Sequence, residues 1–239
     1  MRRTTATTTG SVPRVPTLIF DADDTLWENN VLYERVARDF FAWLAHPDPA
    51  HARAVHRDVE RATIRTHGYG TVSFLRTLHV TVERLRDRPP TDGERAELDA
   101  LSAALARHEM ELVPGVVEVL TSLGRRHDLR LLTKGQAAEQ QAKIDASGLA
   151  GHFTSVHIVA EKDVATYRDL VAELALRPDE TWMIGNSPRS DVLPARAAGL
   201  RAVYVPNPNT WAHEHAEITD PDVVTVASLR DLTRVFQAT

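Results

Sequence analysis

The residue types that phosphoryl transfer needs recur at intervals along this chain. Asp21 and Asp23 directly follow the apolar run TLIF, and Thr133, Lys162 and Asp191 each come after a later apolar or β-branched run. A carboxylate can act as a nucleophile towards phosphorus, and a second carboxylate can donate and accept protons. A hydroxyl and a lysine can hold phosphate oxygens. Together these residue types favour phosphoryl transfer as the chemistry.

Three acidic residues crowd into four positions after the first apolar run. Asp21, Asp23 and Asp24 would repel one another and resist burial unless a cation compensated for their charge. Carboxylate and amide oxygens are ligands that Mg²⁺ accepts, and the later segment GNSPRSD at 185–191 offers both. The sequence therefore predicts a Mg²⁺ site formed by the two acidic segments.

The elements that must position these residues alternate between strand and helix. Short β-branched or apolar runs predict strands at 17–20, 129–132, 155–159, 181–184 and 202–205, and helices are predicted between them at 136–147, 164–176 and 189–198. This alternation predicts an α/β fold with a doubly wound parallel sheet that helices cover on both faces. In such a sheet, ligands bind beyond the carboxyl ends of the strands, where the candidate residues stand.

One region departs from the alternation. From about residue 31 to residue 108 the sequence offers four amphipathic helical patterns, separated by HPDP, HGYG and RPPTDG, and almost no strand signal. We interpret it as a small helical domain inserted after the first strand. The predicted division is a flexible tail over 1–15, a core domain over 16–28 and 112–239, and a helical cap domain over 29–111.

Four of these segments resemble the motifs of the haloacid dehalogenase superfamily, in order and with plausible spacing. They are DADDT at 21–25, LLT at 131–133, Lys162, and GNSPRSD at 185–191. The resemblance implies a Rossmann-like core with a small C1-type helical cap. It runs from about residue 16 to the last strand.

The resemblance also implies a role for each matching residue. Asp21 would be the nucleophile that takes the phosphoryl group and would ligate Mg²⁺, and Asp23 would be the general acid and base, with its main-chain carbonyl as a further metal ligand. Thr133 would hydrogen-bond the transferring group. Lys162 would offset charge between nucleophile and phosphate, and Asp191 would help to hold Mg²⁺.

Two positions distinguish this chain within the superfamily. The acidic residue Asp23 favours the phosphatase branch, because the resemblance implies a tyrosine at the matching position in the dehalogenase branch. The fourth motif usually begins Gly-Asp, whereas here Gly185 is followed by Asn186. An amide oxygen can still bind Mg²⁺, so we expect Asn186 to be a metal ligand in a site with one negative charge fewer.

Four further residues are candidates for contact with the substrate. Trp27 follows the first motif and is expected to face the cap, and Tyr69 lies in the glycine-flanked segment HGYG within the cap region. Lys134 follows the second motif, and Arg189 lies within the fourth.

Composition excludes several classes of function. The chain has 28 basic and 33 acidic residues among 239, so its net charge of −5 indicates neither a nucleic acid nor an anionic membrane as partner. The absence of cysteine excludes disulfides, thiolate metal sites and cysteine nucleophiles. The first 16 residues lack the apolar region of a signal peptide, and no apolar run reaches membrane-spanning length. We expect a soluble cytoplasmic protein.

The sequence thus predicts a Mg²⁺-dependent phosphatase that hydrolyses a small phosphorylated metabolite through an aspartyl-phosphate. Three alternatives remain open at this point. They are a phosphomutase of the β-phosphoglucomutase type, a metal-independent 2-haloacid dehalogenase, and a non-catalytic binding module that keeps the fold.

Overall fold

A computed structural model describes residues 15–106 and 111–237 of the chain, so all but the last residue of the predicted tail lies outside the described residues. The strands within this part are β1 (Thr17–Phe20), β2 (Trp27–Glu28), β3 (Glu111–Leu112), β4 (Asp128–Lys134), β5 (Ser155–Val159), β6 (Thr181–Gly185), β7 (Arg201–Tyr204) and β8 (Val224–Thr225). Six of them form a sheet in the order β5-β4-β1-β6-β7-β8, and every pairing in it is parallel. This confirms the predicted doubly wound α/β fold.

Helices connect the strands and cover both faces of the sheet. They are α1 (Asn30–Leu44), α2 (Pro49–His67), α3 (Thr71–Arg86), α4 (Asp92–Ala106), α5 (Val116–Leu123), α6 (Ala137–Ser147), α7 (Val164–Glu173), α8 (Leu193–Ala197) and α9 (Leu232–Gln237). Of these helices, the longest is α2, with 19 residues, and within the described ranges no helix is both long and apolar enough to cross a bilayer.

Strand β1 is buried on both faces because side chains alternate along an extended chain. Leu18 and Phe20 pack in one hydrophobic cluster with helices α5 and α9, whereas Ile19 packs in a second cluster with Tyr167 and Leu170 of α7. The first strand is therefore the centre of the core. Its carboxyl end is held in place by hydrophobic packing from both sides.

Helices α1–α4 have a hydrophobic cluster of their own. Phe40, Leu78, Val82 and Leu98 are buried in it, and none of them joins the clusters against the sheet. The chain enters this four-helix segment (residues 30–106) from β2 and leaves it into β3, and these two strands pair antiparallel. The four predicted helices are therefore present, and the exact domain boundaries remain a prediction.

Some local features differ from the predicted elements. The predicted helix over 189–198 begins instead as a π-helical turn over Pro188–Val192, which α8 then continues. Strands β2 and β3, which pair with each other, and the edge strand β8 are each only two residues long. Runs this short carry too little hydrophobic periodicity to be recognised in a sequence.

Candidate active site

The candidate residues meet at the carboxyl ends of β1, β4, β5 and β6, beneath the four-helix segment. A cavity of about 180 Å³, which we call the inner cavity, lies there. Asp21, Asp23, Lys162, Asn186 and Asp191 all line it. Strands β5, β4, β1 and β6 are neighbours in that order and run parallel, so residues that follow them lie at one edge of the sheet.

Lys162 lies between two buried carboxylates. Its Nζ is 2.5 Å from Asp21 Oδ1 and 2.8 Å from Asp191 Oδ1. Burial alone would lower the pKa of Lys162, but Asp191 and Asp21 outweigh burial and raise it above its ordinary value. Burial raises the pKa of Asp191, repulsion from Asp21 adds to the rise, and Lys162 opposes it. One cation thus offsets two carboxylates.

The turn after β6 fixes the position of Asp191. The Ser187 N–H donates to Asp191 Oδ2 at 2.9 Å, and the Ser187 side chain accepts a hydrogen bond from the Ser190 N–H. A Cβ at position 185 would collide with the Asp191 carboxylate, so Gly185 is required by space rather than by a positive φ. The glycine of the fourth motif therefore has a direct structural reason.

Thr25 joins the first motif to the fourth. Its hydroxyl lies 2.9 Å from Asp21 Oδ2 and 3.1 Å from Asn186 Oδ1, and it accepts a hydrogen bond from the Asn186 N–H. The Asn186 amide also donates to Thr210 Oγ1 at 2.8 Å. That bond leaves the amide oxygen of Asn186 turned towards Thr25 and Asp21.

Asp23 is held by three donors from two parts of the chain. Lys143 Nζ lies 3.1 and 2.9 Å from its two carboxylate oxygens, the Trp27 indole N–H donates to Oδ1 at 2.8 Å, and the Gln140 amide donates to Oδ2 at 3.2 Å. Lys143 also donates to Asn29 Oδ1. The sequence prediction missed Lys143 and Gln140, which face the site from α6.

Thr133 is buried at the end of β4 and accepts a hydrogen bond from the Gln140 amide. It does not belong to the residues that line the inner cavity. Gln140 therefore links the hydroxyl predicted to bind phosphate with the carboxylate of Asp23.

Asp24 also lines the inner cavity, and its side chain bonds the backbone at the start of the four-helix segment. Its Oδ1 accepts the N–H groups of Asn29 and Asn30, and its own φ is +59°. Burial raises the pKa of Asp24 to about 7, even though those two backbone bonds lower it. Asp24 therefore holds the loop that follows β1 against the start of α1.

A second polar cluster forms the rim of the inner cavity. Lys134 Nζ lies 2.6 Å from Glu214 Oε1, 2.8 Å from Ser190 Oγ and 4.3 Å from the centre of the Tyr69 ring. The Tyr69 hydroxyl donates to Glu161 at 2.6 Å, so this residue of the four-helix segment contacts the core directly. Glu214 comes from the short 3-10 helix Ala212–Glu214, and no motif marks it in the sequence.

Two of the proposed substrate contacts lie elsewhere. Trp27 was expected to face the cap, but its ring is buried in the core cluster and does not line the inner cavity. The pairing of β2 with β3 places it there, where it bonds Asp23 instead. The Arg189 side chain is exposed on the π-helical turn and lines an adjoining outer groove rather than the inner cavity.

The oxygen atoms at the strand ends suit a hard cation. No cluster of three or more acidic, histidine or cysteine side chains is arranged as a metal site within residues 15–106 and 111–237. Asp21, Asp191 and the Asn186 amide nevertheless offer three oxygen-bearing side chains, connected through the shared partners Lys162 and Thr25. Oxygen ligands and uncompensated acidic charge are what Mg²⁺ requires, so these residues fit that ion.

Replacing Lys162 with Met should lower the free energy of unfolding by about 3–5 kcal/mol, because two buried carboxylates lose their cation. Denaturant titration at pH 7 measures the effect, and Mg²⁺ should restore part of the loss. Arg177, whose ion pairs are half exposed, provides the control, and its Met variant should lose no more than about 1 kcal/mol. Equal losses in the two variants would contradict this account of the site.

Most of the chain matches a known protein family. Residues 15–199 match the model of the haloacid dehalogenase-like hydrolases. Phosphoserine phosphatase of Thermus thermophilus is 32% identical over 151 residues, which cover 61% of this chain and 58% of that protein. Pyrimidine 5′-nucleotidase of Escherichia coli is 25% identical over 227 residues, which cover 92% of this chain and 96% of that protein.

Solved structures give the same fold. A haloacid dehalogenase-like family hydrolase from Xanthomonas campestris has a TM-score of 0.80 at 27% identity, covering 94% of this chain and 95% of that one. L-2-haloacid dehalogenase from Xanthobacter autotrophicus has a TM-score of 0.64 at 18% identity, covering 95% and 100%, and shows the fold alone. Because the family model matches more than half of the chain, and the matched range contains all four motifs, the protein belongs to the haloacid dehalogenase-like hydrolases.

Proposed function

We propose that this hydrolase is a Mg²⁺-dependent phosphatase that cleaves small phosphate monoesters through an aspartyl-phosphate on Asp21. The observation that carries the proposal is the pair of carboxylates in one cavity, Asp21 beside Lys162 and Asp23 beside Lys143. Two carboxylates with different partners can take different roles, one as nucleophile and one in proton transfer.

In the first half-reaction an Asp21 carboxylate oxygen forms a bond to phosphorus, and the bond from phosphorus to the leaving oxygen breaks. Asp23 gives a proton to that leaving oxygen, which departs as an alcohol. Lys162 offsets the negative charge that gathers around Asp21, and Thr25 holds its other oxygen. A Mg²⁺ ion held by Asp21, Asn186 and Asp191 would neutralise phosphate charge.

In the second half-reaction water attacks phosphorus, and the bond between phosphorus and Asp21 breaks. Asp23, now a carboxylate, takes the proton from the water, which returns both residues to their starting forms. The hydrogen bonds from Lys143, Trp27 and Gln140 keep Asp23 in one orientation through both steps. The helical segment above the cavity limits the access of bulk water.

The acid at position 23 is what separates this proposal from a dehalogenase. Halide is a weak base and leaves carbon without a proton, so a dehalogenase needs no general acid beside its nucleophile. An alkoxide leaving group needs one. The relatives named as phosphoserine phosphatase and pyrimidine 5′-nucleotidase also support phosphate monoesters as the substrate class.

The direct test is a panel of phosphorylated metabolites and aryl phosphates assayed for release of inorganic phosphate, with and without Mg²⁺. We expect turnover with Mg²⁺, loss of at least about 100-fold on chelation, and recovery when Mg²⁺ is restored, because the ion neutralises charge on the phosphoryl group. Halide release from 2-haloacids is measured beside it.

Other outcomes point to the alternatives. Halide release that resists a chelator would identify a dehalogenase and overturn the proposal. Transfer of phosphate to a sugar hydroxyl, with little free phosphate, would identify a mutase. Absence of turnover across the whole panel would favour a binding module.

A further inference from the structure

We propose that the enzyme selects monoesters whose alcohol part is neutral or cationic, and that Glu60 of α2 determines this selectivity. The proposal rests on the phosphatase function, since it concerns the part of the substrate that leaves. It names a substrate class by charge, which the motifs at the strand ends do not specify.

Every cation of the inner cavity already has a carboxylate partner. The chain contains only three lysines, Lys134, Lys143 and Lys162, and all three line this cavity. They pair with Glu214, Asp23 and Asp21 at 2.6, 2.9 and 2.5 Å. No arginine or histidine of the described residues lines it. A carboxylate or second phosphate on the alcohol part would therefore find no free cation.

The wall opposite the strand ends is largely apolar and comes from the four-helix segment. Phe74 meets the Tyr33 ring edge to face at 5.1 Å, and Ile64 and the C-terminal Trp211 extend the same surface. The Tyr33 hydroxyl bonds Glu139, whose two oxygens also accept bonds from Thr71. This wall suits a small alcohol with an apolar body.

Glu60 brings a carboxyl group to this wall; burial raises its pKa, and the neighbouring His213 opposes that rise. Its carboxylate lines the inner cavity, and only 18% of its side chain is exposed. One oxygen lies 3.1 Å from His213 Nε2, but His213 lines the outer groove rather than the inner cavity. A substrate in the inner cavity therefore meets the carboxylate of this pair, which attracts a cation and repels an anion.

The outer groove adjoins the inner cavity and has more basic side chains. It measures about 690 Å³, and Arg61, Arg65 and Arg189 line it together with the acids Glu161 and Asp163. The residues that line both spaces are Ile64, Tyr69, Lys134, Lys162, Ser190, Trp211 and Glu214. An anionic alcohol part would have to extend into this groove to find cations. The inner cavity is the space that contains Asp23, the proposed proton donor to the leaving oxygen, so we place the alcohol part there.

The test compares three alkyl phosphates of similar length, namely propyl, 2-aminoethyl and carboxymethyl phosphate. For the wild-type enzyme with Mg²⁺ we expect kcat/KM for the first two to exceed that for the third by at least about 10-fold, the scale of one charge interaction in a partly desolvated site. In Glu60→Gln, the ratio of 2-aminoethyl to carboxymethyl phosphate should fall by about 10-fold.

The two kcat/KM values that form the ratio are measured on the same enzyme sample. A partly unfolded variant lowers both values equally, so the ratio is still valid. The intrinsic reactivity of each ester cancels when the variant is compared with wild type. Glu83→Gln, an exposed site on α3, is the matched control and should leave the ratio unchanged. An unchanged ratio in Glu60→Gln would overturn the proposal.

Two further outcomes are decisive. A preference for carboxymethyl phosphate that disappears in Arg65→Gln would place the alcohol part in the outer groove and overturn the assignment. A charge preference that fails while p-nitrophenyl phosphate is still hydrolysed rejects this inference alone. If neither p-nitrophenyl phosphate nor any other ester of the panel is hydrolysed, the phosphatase function fails, and the inference fails with it.

Discussion

Asp21→Asn is expected to lower kcat for p-nitrophenyl phosphate by at least about 10⁴-fold, because an amide is a very poor nucleophile. The amide has nearly the same shape as the carboxylate, and its oxygen can still accept the Thr25 hydroxyl. It cannot carry the negative charge that Lys162 now neutralises. Folding should therefore be retained while the chemical step is lost.

Steady-state release of p-nitrophenol measures the loss, and rapid acid quench with a labelled phosphate ester tests for the phosphoenzyme. Wild type should retain label on the chain, and Asp21→Asn should retain none. Asp169→Asn, an exposed site on α7, is the matched control and should behave as wild type. Label on Asp21→Asn protein would show that another residue is the nucleophile.

The positions at the strand ends could be predicted from the sequence because their signal is local. A short apolar run followed at once by a polar residue marks both the strand and its end, and the parallel order then brings Asp21, Lys162 and Asp191 together. Asp21 and Asp191 stand in local motifs, whereas Lys162 is recognised only because the other three motifs accompany it. The same reasoning explains why all four amphipathic helices between β2 and β3 were recognised.

The partners of these residues could not be predicted, because they come from distant segments. Glu214 reaches Lys134 across 80 positions of sequence, and Lys143 reaches Asp23 across 120. Neither Glu214 nor Lys143 lies in a recognisable motif, and a lysine on a helix is normally expected to be exposed. The composition could have drawn attention to Lys143, because the chain has 25 arginines and only three lysines.

For Trp27 the sequence predicted a contact that the structure does not show. A large aromatic residue directly after the first motif favours contact with substrate, but two residues of pairing between β2 and β3 turn it into the core. Its indole N–H still reaches Asp23, so it acts on the site by orienting a carboxylate. Register in a two-residue strand is set by tertiary contacts rather than by local sequence.

Asp23→Asn should affect substrates according to their leaving groups. For alkyl phosphates we expect kcat to fall by about 10²–10⁴-fold, because the alkoxide then leaves without a proton. The p-nitrophenolate ion is a weak base and needs no proton, so formation of the phosphoenzyme from p-nitrophenyl phosphate should change little. Its hydrolysis should still be slow, because Asp23 is also the proposed base for water.

Stopped-flow kinetics separates the two halves of this expectation. With p-nitrophenyl phosphate, Asp23→Asn should release one equivalent of p-nitrophenol in a burst and then turn over slowly, whereas propyl phosphate should give no burst. Lys143→Met provides a comparison, because it keeps the Asp23 carboxyl and removes the cation beside it. A uniform loss across leaving groups, with no burst, would mean that Asp23 holds the site together instead of transferring protons.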